Sequence, residues 1–149
     1  MRVLAIDYGS KKLGLALSDP EGRFALPRGV MPCEADAERT FAALGRLATE
    51  ERVGLLVVGL PLGLDGSETA TTRQARNFGN RLAARLSLPV RFFDERLSSA
   101  EARDRLAETG TRGRKAKARL DAEAAALILE GFLRERQAET RAPAGEDAP

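Results

Sequence analysis

Four acids stand at the ends of apolar runs rather than in surface-like surroundings: Asp7 after VLAI, Asp94 and Glu95 after VRFF, and Asp121 at the head of LDAEAAALILEGFL. Each has an ordinary reading when taken singly. Asp7 can cap a turn, Asp94 can pair with Arg96, and Asp121 can favour the positive end of a helix. Taken together they suggest chemistry, because the strand ends of a parallel α/β sheet converge on one edge, where ligand sites form. Carboxylates gathered at such an edge repel and raise one another's pKa unless a cation neutralises them. The chain has no histidine and a single cysteine, Cys33. This excludes Ser-His-Asp and Cys-His catalysis, imidazole metal sites and an internal disulfide. An oxygen-only donor set suits one or two Mg²⁺ or Mn²⁺ ions. Two such ions roughly 3.5–4 Å apart can activate a water and stabilise the leaving oxygen of a phosphodiester displacement.

The elements that position these acids follow from the hydrophobic pattern. Residues 3–6 and 13–19 read as adjacent strands joined by a turn at Gly9, and residues 24–31 as a third strand closed by Pro32. Residues 36–52 carry Phe41, Leu44, Leu47 and Ala48 at helical spacing. VGLLVVGLP reads as a buried strand, and Ala75, Phe78, Leu82 and Leu86 mark a second helix after DGSE. PVRFFDER is the next strand. Ser98 with Glu101 has the capping-box spacing of a third helix, and a basic link, TGTRGRKAKAR, leads to a last helix over about residues 120–136. The fold class is therefore α/β, a mixed five-stranded sheet flanked by helices, in one domain over residues 1–138 with a disordered tail over 139–149. Successive strand side chains alternate faces, so only one of Asp94 and Glu95 faces a shared site; Glu95 is favoured, with Asp94 as its alternate.

Phosphate contacts can be placed in the same frame. DGSE sits where the second helix is expected to begin, so Ser67 and the Gly66 amide are candidate anion contacts, against the commoner reading of a plain helix cap. Arg112, Arg114, Lys115, Lys117 and Arg119 lie just before Asp121 and read as an arm for backbone phosphates. Lys11, Lys12 and Arg96 can extend that electropositive rim. Phe92 and Phe93 are expected in the core rather than under nucleobases, and Tyr8 is expected to pack on a neighbouring strand.

Composition sets the outer bounds. At 149 residues the chain suffices for one core but is short for two, and 43% hydrophobic with 31% charged residues is neither disordered nor membrane-spanning in type. The start lacks the pattern of a signal peptide, so a cytoplasmic location is expected. The net charge of +2 includes an acidic end, Glu139, Glu146 and Asp147 against Arg141, which leaves +4 on the remainder. A mildly basic body permits a nucleic-acid partner without demanding one.

Four segments, AIDYGSKKLGLALSD, VVGLPLGLDGSE, PVRFFDERLSSAEA and LDAEAAALILEGFL, resemble in order and spacing the motifs of the YqgF family, also called RuvX or pre-16S rRNA nuclease, over about 130 residues. The resemblance implies an RNase H-like fold and a metal-dependent nuclease acting in 5′-end maturation of 16S rRNA, a part of ribosome biogenesis. It places the family's acids on Asp7, Glu95 and Asp121 as metal ligands and catalytic residues. DERLSS stands for the family's usual DERLST, and Ser99 keeps the hydroxyl. RNA, as pre-16S rRNA or a ribosomal particle, is the expected partner over DNA, with a monomer or a homodimer both open. The same kinship admits a Holliday-junction resolvase acting in DNA repair and recombination, which needs paired sites across a dimer axis. A non-catalytic accessory factor gains nothing from acids facing phosphates, and an ATP-binding module of the actin-like type needs a second domain that this length does not hold.

Overall fold

The computed structural model describes residues 1–98 and 114–141, with side chains described for 1–98 and 120–140. Strands β1 (Arg2–Tyr8), β2 (Lys12–Ser18) and β3 (Ala25–Pro32) form an antiparallel meander. Helix α1 (Ala37–Glu50) leads to β4 (Val53–Leu60), which pairs parallel to β1, and α2 (Ala70–Leu86) leads to β5 (Val90–Asp94), parallel to β4. A 3₁₀ turn, Glu95–Leu97, follows at once, and α3 (Arg114–Arg141) is the last described element. The sheet order β3-β2-β1-β4-β5 is the mixed five-stranded arrangement expected from the sequence.

Two cores sit on the two faces of this sheet. Leu4 and Ile6 of β1 and Leu56, Val58 and Leu60 of β4 pack with Phe41, Leu44, Phe78 and Leu82 of α1 and α2. The alternate residues Val3, Ala5, Leu55 and Val57, with Phe93 of β5, pack with Ala125, Ile128, Leu129, Phe132 and Leu133 of α3. Period-two alternation therefore carries Asp7, next after Ala5 in its series, towards the α3 face.

The helices depart from the sequence reading at their ends. Asp36 is the N-cap of α1 rather than its first turn, its carboxylate accepting from the Glu38 amide. Helix α2 begins at Ala70, beyond DGSE, because Thr69 and Thr72 form a reciprocal capping box there. Helix α3 is described from Arg114, about two turns earlier than expected, so the second half of the basic link is helix; Lys, Arg and Ala are strong helix formers and Arg114–Arg119 contains no breaker. Asp121 accordingly lies inside α3 and not at its head. The helix also runs to Arg141, into the segment read as a tail. Ser98 closes the 3₁₀ turn, its amide and hydroxyl both donating to the Glu95 carbonyl; the capping partner Glu101 and the helix read after it lie outside the described residues. Among the described residues no helix is long and apolar enough to cross a membrane.

Candidate active site

Asp7 stands near the end of β1, directly opposite Gly14 of β2. A Cβ built on Gly14 would lie 3.5 Å from the Asp7 Cβ, 2.8 Å from the Asp121 carbonyl carbon and closer still to the Asp121 oxygen. The missing side chain is thus what lets the backbone of α3 rest on β2 beside Asp7. The Asp121 side chain reaches the Lys12 ammonium, with Oδ2 at 3.1 Å from Nζ. That contact is a charge contact without hydrogen-bond alignment, and the buried Oδ2 accepts no hydrogen bond.

Glu95 arrives from the other side of the sheet centre. A Cβ on Gly59 would meet Glu95 Oε1 at 2.7 Å, its Cγ at 3.0 Å and Ile128 Cδ1 at 2.6 Å. The Glu95 carboxylate therefore lies across Gly59, under α3. Gly59 follows Val58, the partner of Ile6, so Glu95 crosses β4 at the level where β1 presents Asp7. Asp7, Glu95 and Asp121 share the α3 side of the strand ends. Among the described residues, however, no three such donors are gathered closely enough to form a ready-made cation cage.

Asp94 goes elsewhere. Phe93 is buried against α3, so Asp94 falls to the opposite face, where it caps the 3₁₀ turn by accepting from the Arg96 amide at 2.9 Å. Its two oxygens also accept from Arg96 Nε and Nη2, at 3.0 and 2.7 Å. These bonds hold the Asp94 carboxyl below the usual carboxylate range, with the Arg96 side-chain hydrogen bonds as the main cause. A depressed folded-state pKa contributes stability that is present above the unfolded value, near about 3.9, and is lost as pH falls through the folded one. Asp94→Asn is therefore expected to lower the melting temperature at neutral pH and to make the difference from wild type shrink below about pH 4. Thermal melts across the acid range check this. An unchanged gap at low pH would assign the loss to the cap and not to the charge.

The candidate phosphate contacts divide sharply. Arg96 is committed to Asp94 and also donates to the Leu64 carbonyl at 3.4 Å, tying the loop after β4 to the end of β5. Ser67 does not sit at a helix start. Its amide donates to Asp65 Oδ1 at 3.0 Å, and the Gly66 amide, at φ 86°, donates to the Gly63 carbonyl. The two amides proposed as anion contacts, those of Gly66 and Ser67, are already used within the turn, because Gly63 and Asp65 supply the acceptors. Hydrogen bonds from Ser67 keep the Asp65 carboxyl below its ordinary range, with Arg96 adding a smaller share. Lys11 is exposed beside the site, whereas Lys12 is held by Asp121. Arg114, Lys115 and Lys117 lie in the opening turns of α3, rather than in a loose arm, and Arg112 lies outside the described residues.

Two of the three aromatic expectations shift: Tyr8 packs on helix α2 rather than on a neighbouring strand, and Phe92 is half-buried at the margin of the core rather than inside it. Tyr8 stacks on Phe78 with centroids 4.8 Å apart, and burial pushes its phenol upward, helped by Cys33 and opposed by Arg81. Phe93 is in the core, and Phe92 lies beneath the Arg76 guanidinium. The residues missed by sequence reasoning are Gly14 and Gly59. A glycine inside a strand pattern marks a close approach, and that signal was present in both LGLALSD and VVGLP.

Comparison with known proteins bears on the family and the fold. A family model described as "RuvX: Holliday junction resolvase" matches residues 1–135. A protein of Maridesulfovibrio salexigens is 49% identical over 133 residues, covering 89% of this chain and 98% of its own length. One from Anaeromyxobacter sp. (strain Fw109-5) is 46% identical over 138 residues, covering 93% and 100%. Both carry the name "Putative pre-16S rRNA nuclease". Among solved structures, Thermus thermophilus RuvC in complex with a Holliday junction substrate matches with a TM-score of 0.57 at 19% identity, covering 92% of this chain and 96% of that one. At that identity the likeness shows the fold, which is RNase H-like.

Proposed function

The chain belongs to the RuvX family, and from that premise we propose that it is a divalent-metal-dependent nuclease hydrolysing RNA phosphodiesters in 5′-end maturation of 16S rRNA, in the cytoplasm. The observation that carries the reading is the convergence described above: two strand glycines let α3 and Glu95 close on the sheet so that Asp7, Glu95 and Asp121 share one side of the strand ends. Three acids on one edge, without a histidine or thiolate among them, are the donor set of a hard cation.

The residues fit such an ion. All donors are oxygens, and Asp121 Oδ2 is a buried acceptor with no hydrogen bond, which a hard cation satisfies directly. Asp7, Glu95 and Asp121 would hold it. Bound Mg²⁺ or Mn²⁺ supplies Lewis-acid stabilisation of phosphoryl oxygens and acidifies water. The chain itself does the positioning. Asp7 is fixed by the β1–β2 ladder, Glu95 by the 3₁₀ turn that Asp94 caps, and Asp121 by the seating of α3 on Gly14. Carboxylates spaced around one phosphate orient a water in line with the leaving 3′ oxygen and accept its proton. Lys11 and the basic opening of α3 meet the backbone phosphates, contacts that fix register and carry no sequence information.

The test is cleavage of labelled single-stranded RNA carrying a 16S 5′ precursor sequence, beside matched single-stranded DNA and a four-way DNA junction, under Mg²⁺, Mn²⁺ or chelator. Cut RNA under either metal, with the cleavage abolished by chelator and restored on adding metal back, is the expected result. Preferential cutting of the junction would move the assignment to branched DNA, and binding of RNA without cleavage in every metal would overturn a catalytic role.

A further inference from the structure

The acids of the candidate site approach one another without forming a cation cage, and one positive charge of the chain's own already stands among them. Lys12 begins β2, opposite Pro32 of β3, and its ammonium lies 3.1 Å from Asp121 Oδ2. Both side chains are about two-thirds buried, at 35% and 31% exposure, so their attraction is screened less than that of a surface pair. Yet the contact leaves Oδ2 without an aligned hydrogen bond. The lysine neutralises the carboxylate and does not satisfy it. A tetrahedral ammonium on a flexible stem is well suited to this use, since it supplies charge with little demand on geometry.

We infer that Lys12 is the resident counter-cation of Asp121: it holds that carboxylate in the metal-free protein and competes with the divalent cation for the same oxygen. This rests on the metal-dependent reading above and names a regulation of that site. Two charges are not brought to the same buried oxygen without cost, so metal binding has to displace the ammonium. Displacement leaves Lys12 free at the rim beside Lys11, where a substrate phosphate is the available anion. The metal and the nucleic acid then favour each other's binding, because a phosphate that captures Lys12 removes the metal's competitor. The exposed Lys11 next to it has no contact with Asp121 among those described and serves as a matched control for charge alone.

The experiment is Mn²⁺ titration of the full chain followed by the paramagnetic resonance signal of free Mn²⁺, a readout independent of cleavage. Wild type is compared with Lys12→Gln, Lys12→Arg, Lys11→Gln and Asp121→Asn, each checked for folding by thermal melting. Removing a partly buried competitor is expected to tighten Mn²⁺ binding about fivefold in Lys12→Gln, the size of a pair contributing roughly 1 kcal/mol. Lys11→Gln and Lys12→Arg should stay within about twofold of wild type, since the first spares the contact and the second retains a competing cation. Asp121→Asn should weaken binding. Equal tightening in Lys11→Gln and Lys12→Gln would reduce Lys12 to background charge and overturn the inference while leaving the metal site standing. Weaker binding in Lys12→Gln would overturn it in the opposite sense, making Lys12 a support for Asp121. No Mn²⁺ binding by wild type or any variant would remove the metal-dependent reading and the inference together.

Discussion

Asp7→Asn is expected to lower kcat for metal-dependent RNA cleavage by roughly 10²–10³-fold or more, the scale on which deleting one preorganised electrostatic group is felt. The substitution keeps shape and removes charge. Asp7 sits in a regular ladder position opposite Gly14, so the amide fits the strand without displacing neighbours. It also lies beside Asp121 and near the level of Glu95, so its charge adds to a group of acids in which the Lys12 ammonium stands against Asp121 in the absence of metal. Asp7→Asn should therefore be as stable as wild type or slightly more stable in chelator, while the stabilisation conferred by added Mn²⁺ should shrink. Cleavage assays paired with melts in chelator and in Mn²⁺ separate the two effects. Retention of more than about a tenth of wild-type kcat would exclude Asp7 as a ligand, since the expected loss is at least tenfold larger.

Gly14→Ala is expected to be the most damaging single-methyl addition on the sheet. Its Cβ would press on the carbonyl of Asp121, which is helix backbone and cannot swing aside as a side-chain tip can. Overpacking of this kind costs about 1–3 kcal/mol, and more where backbone must move. Relief has to come from lifting α3 off β2, which carries Asp121 away from Asp7 and loosens Ala125, Ile128 and Leu129 in the core beneath. Urea denaturation should show the lowered midpoint. Cleavage measured well below the unfolding transition should fall further than the unfolded fraction explains. Wild-type activity in a stable Gly14→Ala protein would show that the seating of α3 on Gly14 does not set the site.

Much of this was legible because strands impose a period of two. Leu4 and Ile6 against Val3, Ala5 and Asp7 is a pattern that assigns faces before any contact is known, and it turns Asp94 away from the face of Phe93, while Glu95 is placed by the 3₁₀ turn beyond β5 and not by the alternation. The reading held for Asp94 because β5 remains regular up to it. Helix ends were less legible, since they are decided by small differences among local alternatives. Thr69 and Asp65 are both competent cap residues, and the choice of Thr69 depends on Thr72 reaching back to it and on the Pro61 carbonyl that accepts from the Thr72 hydroxyl. The start of α3 was obscured by reading a basic run as a link when its composition equally favours helix. The Lys12–Asp121 contact had no local signal at all. It exists because a glycine in one hairpin strand admits a helix from the far end of the chain, which only the folded topology reveals.

The second core has a consequence for the order in which the molecule comes into being. Everything described as covering Val3, Ala5, Leu55, Val57 and Phe93 comes from α3, and so does Asp121. A chain emerging from the ribosome can assemble the sheet and the α1–α2 side while the opposite face still lacks its α3 cover and the acid set stays one member short. Burial of the apolar face and completion of the acid set are then a single late event. A half-made chain lacks the α3 core and the third acid at once, so the nuclease activity proposed for this site would arrive only with α3.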